Sequence, residues 1–366
     1  MYRPPLSLGR RILRVVLSVV CLFALLFVGY VSYLLIDYRR IPDHLTLDIA
    51  GETDARVRTG EDYTLLSYNI GFAAYTPDFG FFMDGGSESR AASEASVRSN
   101  MADILAYLRS EDADFLMIEE VDLSATRTYG VDERAILTDG FSGYISHYAL
   151  NYDSSYLFYP FTRPHGKTKS GMLTLSRYDI TAAERRSLPV ETSLEKFFDL
   201  DRAYTVSRLP AEDGRELVLY TVHLSAYTSD GTVATKQLEM LLADMQAEYE
   251  KGNYAVAGGD FNKDLLGDSA AIFGVGGEGQ TWAQPIPPEA FDGVDIRLAA
   301  PFDGENPTPS CRNADGPYTS AQFVLTVDGF LLSPNVTEVE SEVVPLRFAY
   351  SDHNPVRLTF RLGATG

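Results

Sequence analysis

Hydrophobic and polar positions alternate along this chain at two periods, and one stretch near the start shows no period at all. From 15 to 36 the sequence runs for 22 residues without a charged side chain. Further on, Val97, Met101, Ile104, Leu105 and Leu108 recur at helical spacing, as do Leu238, Leu241, Leu242 and Met245, so two amphipathic helices are predicted. Short apolar runs at 63–70, 115–121, 172–176, 216–224, 254–258, 323–333 and 356–362 read as strands. Strands outnumber helices and include hairpin candidates, which argues against a purely parallel, doubly wound sheet. Three segments, 71–96, 122–170 and 266–322, lack clear periodicity and are expected to be long loops, of the kind that line sites. The glycine-rich string 274–279 lacks the lysine and hydroxyl residue of a phosphate-binding loop and is read as a flexible loop in the third segment, which also holds the only tryptophan, Trp282.

The uncharged run changes the picture of the whole chain. A helix of that length rises about 33 Å at about 1.5 Å per residue, enough to cross the hydrocarbon core of a bilayer. Tyr30 and Tyr33 near one end suit an interfacial aromatic belt. A cleaved signal peptide is the rival reading, but the run is long for one and no small-residue cleavage pattern follows it. Arg3, Arg10, Arg11 and Arg14 precede the run, whereas Arg39 and Arg40 follow it. The larger basic cluster is expected to stay inside. The domain plan is therefore a cytoplasmic segment 1–14, a signal anchor 15–36, a juxtamembrane tether 37–60 and one folded domain 61–366 on the extracellular face.

Composition narrows the classes. Hydrophobic residues make up 45% of the chain and aromatics 12%, ample for one large core and against global disorder. Cys21 lies in the apolar run, so Cys311 has no disulfide partner within the domain and is read as an inert loop thiol. The chain carries a net charge of −20, and residues 41–366 carry about −25 once the arginine-rich start is set aside. Such a surface repels a polyphosphate backbone, so nucleic acid is disfavoured as a partner.

Candidate chemistry sits at the ends of the strand-like runs. Ser67-Tyr68-Asn69-Ile70, Ile118-Glu119-Glu120-Val121, Thr221-Val222-His223-Leu224, Gly258-Gly259-Asp260-Phe261-Asn262, Thr326-Val327-Asp328-Gly329-Phe330 and Ser351-Asp352-His353-Asn354-Pro355-Val356 each set an ionisable or amide group against an apolar run. Polar groups at strand ends are where a fold presents chemistry on a rigid support.

The ordered set resembles the endonuclease/exonuclease/phosphatase superfamily of metal-dependent phosphoesterases, from about residue 63 to about residue 362. The resemblance implies an α/β four-layer sandwich of two packed mixed β-sheets flanked by helices, here preceded by one transmembrane helix. It implies Mg²⁺, with Mn²⁺ as an alternative, held by Glu120 with Asn69 and Asp352. It makes Asp260 the group that positions and deprotonates the attacking water, Asn262 a holder of a phosphate oxygen, and His353 and His223 the phosphate-contacting histidines, with Asp328 orienting His353. Ser170-Gly171, Arg202 and Gln237 match supporting positions. Glu119 departs from the family's glutamine and is expected either to face solvent or a salt bridge, or to tighten the metal site. Gly71 stands where apurinic endonucleases carry an acid or asparagine, which argues against DNA repair. Phe79, Phe81 and Phe82, with His165, are candidate substrate contacts. The expected function is hydrolysis of a small-molecule or lipid head-group phosphoester by a membrane-anchored monomer. An extracellular nuclease and an inactive binding module are the alternatives.

Overall fold

The computed structural model describes residues 7–191, 196–199, 201–226, 232–275 and 283–363. Trp282 and most of the glycine-rich string lie outside these residues. The chain forms two compact units, residues 1–40 and 41–366. The first is one helix, α1 (Leu8–Asp37), with no buried residue. It is long and apolar enough to cross a membrane, with a mean hydropathy of 2.7.

Among the described residues of the second unit sixteen strands follow: β1 (Leu45–Thr46), β2 (Ile49–Ala50), β3 (Asp62–Asn69), β4 (Phe115–Ala125), β5 (Ile145–Asp153), β6 (Thr168–Ser176), β7 (Ala182–Ser187), β8 (Ala203–Pro210), β9 (Glu216–His223), β10 (Tyr254–Asp260), β11 (Arg297–Ala299), β12 (Cys311–Arg312), β13 (Val324–Leu325), β14 (Asp328–Leu332), β15 (Val336–Val343) and β16 (Val356–Leu362). One seven-stranded sheet has the order β1-β7-β8-β9-β10-β14-β11, the other β15-β16-β3-β4-β6-β5-β2. Each is mixed: β9 and β10 are parallel in the first, β3 and β4 in the second, among antiparallel neighbours.

Side-chain alternation builds the layers. Leu65, Phe115 and Met117 point between the sheets and meet Leu217, Leu219, Tyr254 and Val256 from the other side. Their strand neighbours Leu66, Tyr68, Leu116 and Ile118 point outward, where Val97, Met101, Ile104 and Leu108 of helix α2 (Glu94–Ser110) cover them. On the opposite flank Val218, Tyr220, Ala255 and Ala257 meet Leu238, Leu241, Leu242 and Met245 of the helix Thr232–Glu250. The period-2 and period-3.6 patterns thus interlock in four layers, as alternating burial requires.

Two expectations are corrected. The segment 37–60 is not a tether throughout, because the domain begins at Ile41. β1 and β2 each add an edge to a different sheet, while Leu47 and Val57 are buried in the intersheet core. The segment 122–170 is not one long loop. It holds the end of β4, helix α3 (Glu133–Gly140) and all of β5. The alternation of β5 was masked because polar His147 and Asn151 are buried, with His147 Nε2 at 2.6 Å from Ser207 Oγ. A buried polar residue that finds a partner is inside without being apolar.

Candidate active site

Strand register brings the polar strand ends to one level. In the first sheet Asp260 pairs with His223 across the parallel β9–β10 ladder and with Asp328 across the antiparallel β10–β14 ladder. In the second, Asn69 pairs with Glu119. The loop before β16 closes the site: Ser351 Oγ donates to Asn69 O at 2.8 Å, and His353 bridges to Cys311 of β12. Gly259 makes the parallel pairing possible. Its φ is +148°, and a Cβ there would lie 1.9 Å from Val222 O, so no other residue fits without moving the strand.

Two side chains reach the site through unusual backbone. β4 slips register against β6 between Ile118 and Val121, and Glu120 in that bulge has φ +55°. The bulge lets consecutive acids take different environments. Glu120 keeps 28% of its side chain exposed, while Glu119 is fully buried. Asn262 has φ +48°; its N–H donates to Asp260 Oδ1 at 2.8 Å and its Nδ2 to Leu224 O at 2.9 Å. Left-handed backbone in non-glycine residues is uncommon and clusters where side chains must be aimed.

The geometry is a relay of acid and imidazole. His353 Nδ1 lies 2.8 Å from Asp328 Oδ2, which also accepts from Ser310 Oγ at 2.6 Å. The other ring nitrogen, Nε2, is 3.8 Å from Asp260 Oδ2. From the opposite side His223 Nε2 stands 3.7 Å from the same oxygen and 4.0 Å from Glu120 Oε1. Asn69 Nδ2 donates to Asp260 Oδ2 at 3.1 Å. Both imidazole separations exceed hydrogen-bond length, so the two rings flank Asp260 without being bonded to it.

Electrostatics divide the roles. Burial pushes the Asp260 carboxyl up to about 7, and Asp328 adds to the rise. Burial opposes charge on His353, but Asp328 and Cys311 together act against it, and the imidazole is shifted well above its ordinary range. His223 is held well below that range by burial and by Arg202 and His353. The surroundings thus favour the charged form of one histidine and the neutral form of the other. Burial raises Glu120, and although Arg127 counteracts this, Asp352 adds to it. Glu119 settles in neither expected place. It sits between the sheets, accepts from Ser67 Oγ at 3.1 Å, and is pushed well above the usual carboxylate range by burial, then by Asp328 and Asp260. In its protonated form, which this shift favours, it presents one donor and one carbonyl, much like an amide.

The cavity, open to solvent, is lined by Glu120, His223, Asp260, Asn262, Asp352 and His353 together with Tyr75, Asp84, Arg202, Cys311, Arg312 and Asn313. Asn69 and Asp328 stand behind this lining, bonded to residues in it. Arg202, which reads as a support in the sequence, lines the cavity itself. Gln237 does act as a support, accepting from Ser225 N at 2.8 Å. Cys311 is not a loop thiol: it is buried in β12, and burial pushes it up to about 12.

The aromatic assignment is corrected. Phe79, Phe81, Phe82 and His165 do not line the cavity. Phe79 and Phe81 are buried against Tyr75, and His165 packs against Phe81 and Phe82, where burial and then Arg127 lower it to about 3. The buried Arg312 fixes this loop by donating to Thr76 O and Phe79 O, both at 3.2 Å. Sequence reasoning missed Arg312 and Arg127. The latter ion-pairs with Asp122 at 2.8 Å and stacks 3.5 Å from the centre of the Phe72 ring; an isolated arginine between loops carries no periodic signal. Phe81→Ala should lower stability by about 3 kcal/mol, as large-to-small core changes do, with a far smaller change in KM. Chemical denaturation beside steady-state kinetics checks this, and a raised KM at unchanged stability would restore substrate contact.

The fold and cavity together define an α/β sandwich with an acid–imidazole site at the shared end of two sheets. The chain belongs to the endonuclease/exonuclease/phosphatase family, whose model matches residues 66–353; members of that family are hydrolases acting on phosphoesters. Similar solved structures include an endonuclease/exonuclease/phosphatase from Beutenbergia cavernae, 17% identical, with TM-score 0.56 over 83% of this chain and 72% of that one. The catalytic domain of human Nocturnin with bound sulfate is 16% identical, with TM-score 0.52 over 86% and 97%. ANGEL2, a 2′,3′-cyclic phosphatase, is 16% identical, with TM-score 0.54 over 87% and 99%. No curated protein matches the sequence.

Proposed function

We infer that this chain is a membrane-anchored, divalent-metal-dependent phosphoesterase that hydrolyses a small or lipid-linked phosphate ester, with its domain on the outer face. The observation that carries the reading is the Asp260–His353–Asp328 cluster, whose ligand-type atoms lie within 4.8 Å of one another and which opens on a cavity bordered by further carboxylates, Glu120 and Asp352 among them. That donor set suits a hard cation, since oxygen ligands of net negative charge face one space and Asp352 already raises its neighbour Glu120. Mg²⁺ or Mn²⁺ held by Glu120 and Asp352, with Asn69 assisting, would neutralise charge on the non-bridging phosphate oxygens.

The remaining chemistry belongs to the chain's own groups. Asp260, with its carboxyl near neutrality, accepts the proton of the attacking water. The water oxygen forms the new bond to phosphorus while the ester oxygen leaves. His353, kept cationic by Asp328, donates from Nε2 to a phosphate oxygen as charge develops there. Neutral His223 donates from the other side, and Asn262 holds a further oxygen through its amide. Asp328 and Asn69 position His353 and Asp260.

The substrate reading rests on charge. Residues 41–366 carry about −25, so a long polyanion is repelled whereas a mono- or diester on an uncharged moiety is not. The test is a panel of sugar, polyol and phospholipid phosphoesters beside duplex DNA, assayed with Mg²⁺ at low and physiological salt. Turnover of the small or lipid esters supports the reading. Efficient DNA cleavage that collapses as salt rises, the mark of counterion release, would restore the nuclease.

A further inference from the structure

The loop joining β5 to β6 exposes Phe158 (50%), Tyr159 (60%) and Phe161 (83%) to solvent. They are not a loose tip. Tyr159 packs against Phe82 with ring centres 5.6 Å apart and against Phe161 at 5.8 Å, while Phe158 meets Tyr156 at 4.8 Å. The base of the loop is pinned where Leu157 and Gly166 bond to each other's backbone. A rigid platform thus holds three large rings in water, at a cost of roughly 1.5–3 kcal/mol for each ring left unburied.

Its place in the fold is informative. β6 runs antiparallel to β4, so Thr168, where the loop rejoins the sheet, pairs with Ala125 beyond Glu120. The loop therefore leaves the second sheet at the end that carries the active site. The chain also enters the domain at that end. Ile41 N–H donates to Asp201 Oδ1, two residues before Ala203, which pairs with the catalytic His223. Arg185 ties entry and loop strand together by donating to Pro42 O at 3.3 Å and Leu150 O at 2.7 Å. Only Tyr38, Arg39 and Arg40 separate Ile41 from the apolar helix that ends at Asp37. Fully extended, such a linker reaches roughly 14 Å.

Charge points the same way. From 154 to 169 the sequence has no acidic residue but contains Arg163, Lys167 and Lys169, in a chain with 51 acids. Exposed aromatics beside basic residues are what partition into a membrane interface.

We propose that the loop 156–161 is a membrane-docking surface: Phe158, Tyr159 and Phe161 insert into the interface of the bilayer that holds α1, and the cavity is held against the lipid head groups. This rests on the membrane-anchored reading of α1 and deepens the substrate reading, because a phosphoester displayed at the bilayer surface would then reach the site without leaving it.

The test uses the full chain carrying Trp282→Phe, so that an introduced tryptophan is the only one, reconstituted into phosphatidylcholine vesicles with bromines near the top of the acyl chains. Phe161→Trp is compared with Val339→Trp, another exposed apolar position (48%), in the middle of β15 and four residues from Val343, which pairs with Val356 beside the site. The docked loop predicts blue-shifted emission quenched roughly twofold or more by bromine for Phe161→Trp, as expected some 5–10 Å into the interface, and no quenching for Val339→Trp. Equal, unquenched emission at both positions in vesicles that float with the protein would overturn docking while leaving the anchor intact. Failure of the full chain to float with the vesicles would overturn the anchor and the docking together. Neither readout depends on turnover, so a wrong substrate cannot imitate either result.

Discussion

Asp260→Asn and His353→Ala should each lower turnover by about 10² to 10⁴-fold, the range for loss of a positioned proton-transfer group. Asparagine is isosteric at 260 and keeps one oxygen, which can serve either the Asn262 N–H, now 2.8 Å from one carboxylate oxygen, or the Asn69 amide, now 3.1 Å from the other. What it loses is the ability to take a proton from water. His353→Ala removes the cation that Asp328 maintains against burial. Asp328→Asn should cost less, because an amide oxygen can still accept from Nδ1 at the present 2.8 Å and only the electrostatic support of the charged ring is lost. Single-turnover kinetics with thermal denaturation of each variant give the comparison. A larger loss at Asp328 than at His353, at unchanged stability, would mean that the aspartate touches the reacting atoms and that the roles are exchanged.

Glu120→Gln should leave the fold intact and weaken divalent-cation binding by more than the roughly 10–100-fold that loss of an outer-shell partner costs. The substitution preserves the side-chain shape in a bulge at φ +55°, so the backbone strain is common to both proteins and cancels. One of the carboxylates lining the cavity becomes neutral, leaving Asp352 beside Asp260 and Asp84. Calorimetric titration of Mg²⁺ into the apo protein reads the affinity directly, without an assay. Turnover should fall with it and recover in part at high Mg²⁺. Full activity of the variant in excess chelator would end the assignment of Glu120 as the principal ligand.

Much of the candidate site is legible in the sequence because each participating strand carries its own polar residue next to an apolar run. Asn69, His223, Asp260 and Asp328 begin or end strands, where the alternation of burial breaks and a polar side chain stands out. Periodicity also marked the covering helices, since Val97, Met101, Ile104 and Leu108 meet the sheet only if the chain is helical there. The apolar run was read from composition alone.

Tertiary structure decided whatever depends on a partner distant in the chain. Consecutive Glu119 and Glu120 have identical chemistry, yet a one-residue bulge buries the first and opens the second to the cavity. The opposite shifts of two equally buried imidazoles, His353 upward and His223 downward, follow from which groups the sheets bring alongside, Asp328 for one and Arg202 for the other. The aromatic segments were indistinguishable in the sequence. Arg312, 233 residues from Phe79 along the chain, pulls one inward, while the residues from Phe158 to Phe161 remain outside. Local periods encode which face of a strand or helix is apolar. Long-range packing alone determines which polar group meets another, because that depends on pairing between segments with no fixed spacing in the chain.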